Sequence, residues 1–175
     1  HDAGSLALYE ASLWPWFARH LLPEAEPLPF QLLVLAPPPH AAPHSSLVHM
    51  FDTVRRRMNE QAGGERFPSG EVFLARTAPD HAWVLDWAQI HAALQAASRT
   101  NRPVLLLGTA FSFVHLLEQM KAGGLRGELP PGSRVMETGG YKGRSRALPR
   151  AELHAQLHAA LGIAPAHIVA EYGMC

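Results

Sequence analysis

A single cysteine, Cys175, stands in the chain of 175 residues, so no disulfide can form within it and the expected setting is a reducing cytoplasm. Neither charge is in excess. Fifteen basic residues face 15 acidic ones, and that balance gives no reason to expect nucleic acid or an anionic membrane as partner. Apolar runs stay short of the ~18 residues that a membrane span needs, and the first residues lack the basic-then-apolar order of a secretory signal. Three site signatures are also missing: GxxxxGK[ST], a GxGxxG after a strand, and a GxSxG around Ser112. The glycine-rich stretch discussed below is therefore not a Walker loop, and Ser112 does not sit on a nucleophile elbow.

Short buried strands alternating with amphipathic helices make up most of the chain. Ser5 to Leu22 carries Leu6, Tyr9, Leu13, Trp16, Phe17 and Leu21 at helical spacing, with Pro15 expected to kink that helix or mark its start. "QLLVLA" (31–36), "EVFLA" (71–75), "PVLLLG" (103–108), "SRVMETG" (133–139) and "HIVAEYG" (167–173) read as five strands. Between them, helices are expected from Ser45 or Ser46 to about Asn59, from Ala82 to Ser98, over "TAFSFVHLLEQMKAGG", and over "PRAELHAQLHAALG". This order predicts an α/β fold with a mainly parallel, doubly wound sheet of about five strands and flanking helices, in a single domain or subdomain.

Ligands of such sheets bind in the loops at the carboxyl ends of the strands. Those loops here are "PPPHAAPHSS", "GTAFS", "TGGYKGRSR" and "YGMC". Gly139 and Gly140 let backbone approach a flat or phosphorylated ligand, and Lys142, Arg144 and Arg146 bring charge. A glycine turn with solvated cations fits the same residues, and taken alone it is the more ordinary reading. Gly108 and Thr109 stand where a buried strand meets a helix start, which suits an anion, although Thr109 as a plain N-cap explains it equally. Eleven histidines invite a metal. His154 and His158 have helical i, i+4 spacing but no third ligand beside them, and His40, His44 and His49 have no Cys or Asp to complete a shell. No metal site is expected from the chain's own residues. Cys175 has no activating base in its surroundings, and the four tryptophans fall at apolar helix positions, where packing explains them.

"ETGGYKGRSR" followed some thirty residues later by "IVAEYGMC" resembles the acyl-protein synthetase (LuxE-type) family, within the adenylate-forming acyl-CoA synthetase-like superfamily. "VLAPPPHAAPHSSLVHMF" and "PVLLLGTAFSFVHLLE" look like further parts of that pattern, so the resemblance covers nearly the whole chain. It implies part of the large N-terminal domain of an enzyme that joins a fatty or other hydrophobic carboxylic acid to ATP as acyl-adenylate. The acyl group then passes to a thiol acceptor, a protein cysteine or coenzyme A. Carried over by position, Gly139, Gly140, Tyr141, Lys142, Tyr172, Gly173, Met174 and Cys175 would form the nucleotide-binding set. His44, Ser45, Ser46 and His49 would border the acyl substrate, with Gly108 and Thr109 in the same cleft.

The implied cofactor is ATP with Mg, whose protein ligand is expected outside this chain. Cys175 stands where the family usually has threonine. The phosphate loop rich in Ser, Thr and Gly and the C-terminal lid are not in the sequence, so the expectation is a central fragment of a longer protein, compatible with a multi-subunit complex. A catalytically inactive nucleotide- or partner-binding module of the same fold is the alternative that the Cys175 departure raises.

Overall fold

The computed structural model describes residues 3–22, 30–80, 82–123, 127–139 and 148–171. Four strands form one parallel sheet: β1 (Gln31–Val34), β4 (Val104–Thr109), β5 (Arg134–Thr138) and β6 (Ile168–Glu171), side by side in the order β1-β4-β5-β6. Their registers run in step, with Leu33 opposite Leu106, Leu106 opposite Val135, and Thr138 opposite Glu171. The strands are apolar on both faces, as a sheet covered on both sides requires. Leu32, Val34, Leu105, Leu107 and Met136 face one way and meet α1 (Ala3–Leu21) and α2 (Ser46–Gln61) through Phe17, Leu21, Phe51 and Val54. Leu33, Leu106, Val135 and Ile168 face the other way, against α4 (Trp87–Thr100), α5 (Ala110–Ala122) and α6 (Arg150–Leu161). The doubly wound expectation thus holds, with a core on each side of the sheet.

The fifth strand does not form as such. Pro68 precedes a single helical turn, α3 (Ser69–Val72), and "EVFLA" then touches the sheet at one bridge only, Phe73 beside Val34. The Leu74 amide donates to the Val34 carbonyl at 2.8 Å before the chain leaves for a separate antiparallel ribbon, β2 (Ala75–Thr77) with β3 (Trp83–Leu85). Phe73 lies on the outer side of β1. The chain therefore runs outward from β1 through α2 on one face and returns to β4 through α4 on the other, so winding reverses between β1 and β4.

The ribbon also corrects the helix expected from Ala82 to Ser98. Trp83, Val84 and Leu85 are β-prone residues that pair with β2, and the helix begins only at Trp87. Asp86 fixes that start, because its side chain accepts the Gln89 amide at 3.0 Å. Ser45 caps α2 in the same way through the Val48 amide. At the other ends, Asn101 closes α4 and Gly162 closes α6 with left-handed backbones, φ 49° and 69°. The helical pattern on α1 continues through Pro15 rather than starting there. Among the described residues no helix is long and apolar enough to cross a membrane.

Candidate functional site

Three groups of polar side chains gather at or near the carboxyl ends of the strands. On the α1/α2 face, Thr138 of β5 and Glu171 of β6 are register partners, and the Thr138 hydroxyl donates to Glu171 Oε2 at 2.6 Å. Thr138 is buried while Glu171 keeps part of its surface open. Tyr9 of α1 lies in the field of Glu171: burial first, then the charges of Glu171 and Glu10, push its phenol pKa well up, so it stays a neutral donor. Gly139 follows Thr138 with φ 74°, a backbone suited to glycine, and a Cβ there would meet nothing within 4 Å.

Beside that pair, Glu10 ties α1 to α2. Its Oε1 lies 2.9 Å from Arg56 Nη2, 3.1 Å from His49 Nε2 and 3.3 Å from the Thr53 hydroxyl. The His49 nitrogen is enclosed and its contact with Glu10 is electrostatic, without hydrogen-bond geometry. Tyr9 and His49 rings stand 6.4 Å apart. Burial works to raise the Glu10 pKa, but the Arg56 hydrogen bond and charge, with His49 and Thr53, outweigh it and hold the carboxyl below its usual range. A depressed folded-state carboxylate contributes stability above its unfolded pKa, and that stability is lost as pH falls through the folded value. Thermal melts taken below the ordinary carboxylate range should therefore show a falling midpoint, and Glu10→Gln should remove part of that fall. An unchanged acid limb in the variant would show that Glu10 contributes nothing to it.

On the opposite face, Glu137 of β5 is only 6% exposed and meets His154 of α6 at 3.3 Å. His158 does not join it: its Nδ1 pairs with the Ile163 carbonyl at 2.8 Å, so the two helical histidines serve separate partners. Among the described residues no group of three or more His, Cys, Asp or Glu side chains is placed to hold a metal ion.

Of the residues singled out from sequence, Ser45 is occupied as the α2 cap, His44 and Ser46 are exposed, and His49 faces Glu10. Thr109 caps α5, accepting the Ser112 amide at 2.9 Å and meeting the Ser112 hydroxyl at 2.8 Å. Gly108 is enclosed by protein, since a Cβ there would stand 3.1 Å from Leu35 Cβ and 3.2 Å from Phe113 Cε2. Gly140, Tyr141, Lys142, Arg144, Arg146, Tyr172, Gly173, Met174 and Cys175 lie outside the described residues. Tyr9, Glu10, Thr138, Glu137 and Glu171 were not legible as site residues. Tyr9 shares the apolar spacing of α1 and Glu10 carries no motif, while Glu137, Thr138 and Glu171 lie at the edges of the two quoted stretches without a role of their own there.

Comparison with protein-family models, with the curated proteins and with the solved structures returns no match.

Proposed function

We propose that this chain is the central ATP- and acyl-binding part of an acyl-activating ligase. In this reading the parent protein forms acyl-adenylate and pyrophosphate from ATP and a fatty or hydrophobic carboxylate. A thiol, on a protein cysteine or coenzyme A, then takes the acyl group. The observation that carries the reading is the parallel pairing of β5 with β6, Thr138 opposite Glu171. Because of it, "GGYKGRSR" and "YGMC" begin at adjacent strand ends, on the edge of the sheet where α/β proteins bind ligands.

The chemistry suits such an edge. Attack of a carboxylate on the α-phosphate needs the two reactants held in line and negative charge offset, more than it needs a protein nucleophile. Gly139, with an open approach and a left-handed backbone, leaves room for a base or phosphate close to the main chain. Gly140 and Tyr141 would line the adenine pocket, Lys142 would add charge beside it, and Tyr172, Gly173, Met174 and Cys175 would complete the nucleotide side. On the acyl side would stand His49, oriented by Glu10, with His44, Ser45 and Ser46 along the rim and Gly108 and Thr109 behind it. ATP with Mg would supply the adenylyl group, with pyrophosphate as the leaving group.

The test is pyrophosphate release from the full-length protein that depends on both ATP and acid, with the acyl-adenylate trapped by hydroxylamine. Gly140→Asp should abolish nucleotide binding, because it sets bulk and negative charge where phosphate approaches. Unchanged ATP affinity in that variant would remove the loop from the site. ATP binding without any turnover across a panel of acids would leave a nucleotide-binding module in place of a ligase.

A further inference from the structure

The amino-terminal edge of the sheet, at the far end of the strands from the loops considered above, carries three guanidinium groups. Arg134 begins β5, Arg102 stands two residues before β4, and Arg66 lies in the loop after α2. Phe30, just ahead of β1, joins two of them. Arg102 Nη2 donates to its carbonyl at 2.6 Å, and Arg134 Cζ lies 5.8 Å from its ring centroid. Arg66 Cζ stands over the Phe67 ring in the same way, at 5.7 Å. Both rings are buried in the core that the sheet shares with α1 and α2, so the cations above them are positioned rather than free to swing.

Their positive charge is not offset locally. Neither Arg66 nor Arg134 has an ion pair with a described carboxylate, whereas Arg55, Arg56 and Arg57 of α2 all do. Arg134 Nε is enclosed and has no hydrogen-bond partner, and burial holds the group's pKa below its usual value. Arg102 is shifted the same way, by burial first and then by the Arg66 charge. A half-buried cation loses hydration; a ring face offsets part of that loss, and a carboxylate offsets more. The other two charges do not contribute to the Arg134 shift, which sets it apart from them, so one small anion does not reach all three. An extended acidic peptide does, because its alternate side chains lie on one face about 7 Å apart. Nucleic acid suits the edge less well: the chain has no excess of positive charge, and Phe30 and Phe67, 1% and 3% exposed, offer no ring for a base to stack on.

We propose that this edge docks an extended acidic segment of a partner protein, with Arg66, Arg102 and Arg134 pairing to its carboxylates. The surface stands independently of the nucleotide reading. It lies at the opposite ends of the same strands, so a partner seated there leaves the carboxyl-end loops uncovered.

Fluorescence anisotropy of a labelled peptide alternating glutamate and serine, titrated with the full-length protein, tests this. The peptide should bind and its glutamine–serine counterpart should not, and added salt should weaken the binding by screening the pairs. Arg66→Gln and Arg134→Gln should each lower the affinity about two- to fivefold, the range for one exposed ion pair. Arg150→Gln, at the carboxyl end of the sheet, should leave it unchanged. No binding by the wild type, or an equal loss in Arg150→Gln, would overturn the proposal. Inorganic phosphate or single-stranded RNA binding more tightly than the peptide through Arg66 and Arg134 would overturn it as well. Arg66 is exposed, so Arg66→Gln keeps the proposal open to refutation should Arg134→Gln fail to fold.

Discussion

Phe113→Ala is expected to cost about 3–5 kcal/mol of folding free energy, the range for a fully buried aromatic truncated in a packed core. Phe113 has no exposed surface and packs in the core formed by α4, α5 and α6 against the sheet. One edge of its ring reaches the β4 backbone, where a Cβ on Gly108 would stand 3.2 Å from Cε2. Gly108→Ala alone should therefore cost about 1–3 kcal/mol by overpacking, because the neighbours it meets are core atoms with nowhere to go. In the double variant the ring edge is gone but Leu35 Cβ still stands 3.1 Å away. The combined cost should thus fall short of the sum by about 0.5–1 kcal/mol, with part of the overpacking retained. Urea denaturation of the four proteins measures this. Strict additivity would mean that the Gly108 and Phe113 positions do not press on each other. Stability of a domain is roughly 5–15 kcal/mol, so Phe113→Ala alone removes a large share of it. The result also bears on the cleft: a glycine demanded by packing at the end of β4 needs no ligand to explain it.

His154→Ala is expected to destabilise the fold by about 1–3 kcal/mol, because it strips a buried carboxylate of its partner. Burial is the main influence on Glu137 and raises its pKa. The His154 hydrogen bond and charge and the Arg150 charge pull it back, and the Glu171 carboxylate adds a smaller push upward. The net direction is upward, so between the unfolded and folded pKa values the folded state binds more protons than the unfolded one. Stability from this group is then present below the unfolded pKa and is lost as pH rises through the folded pKa. Glu137→Gln removes the titration, and its stability relative to wild type should improve as pH rises through that window, then level off. Denaturation curves of both proteins at a series of pH values supply the readout. A constant difference across the window would mean that Glu137 titrates alike in both states.

The strands and caps were legible because their causes are local. "QLLVLA" and "PVLLLG" are apolar on consecutive residues, which only a sheet covered on both faces can bury, and β1 falls within the first and β4 largely within the second, while the β-prone Val135-Met136 pair marks β5. Ser45 and Thr109 precede their helices with a side-chain acceptor, and each accepts an amide three residues on. "EVFLA" and the start of α4 were misread for a physical reason. A short apolar run reads as a strand whatever it pairs with, and partner choice there depends on Pro68 and on the ribbon formed by residues 75–85.

The sequence by itself determined the parallel α/β layout, the cap at Thr109 and, to within one residue, the cap at Ser45, since each rests on periodicity or on contacts within a few positions. Only the tertiary structure decided which polar groups meet. Glu10 reaches Thr53 across 43 positions, Thr138 reaches Glu171 across 33, and Glu137 reaches His154 across 17. No local pattern encodes such pairs. They arise because parallel strands bring residues from separate βα units to one edge, and because α1 packs across that edge beside α2.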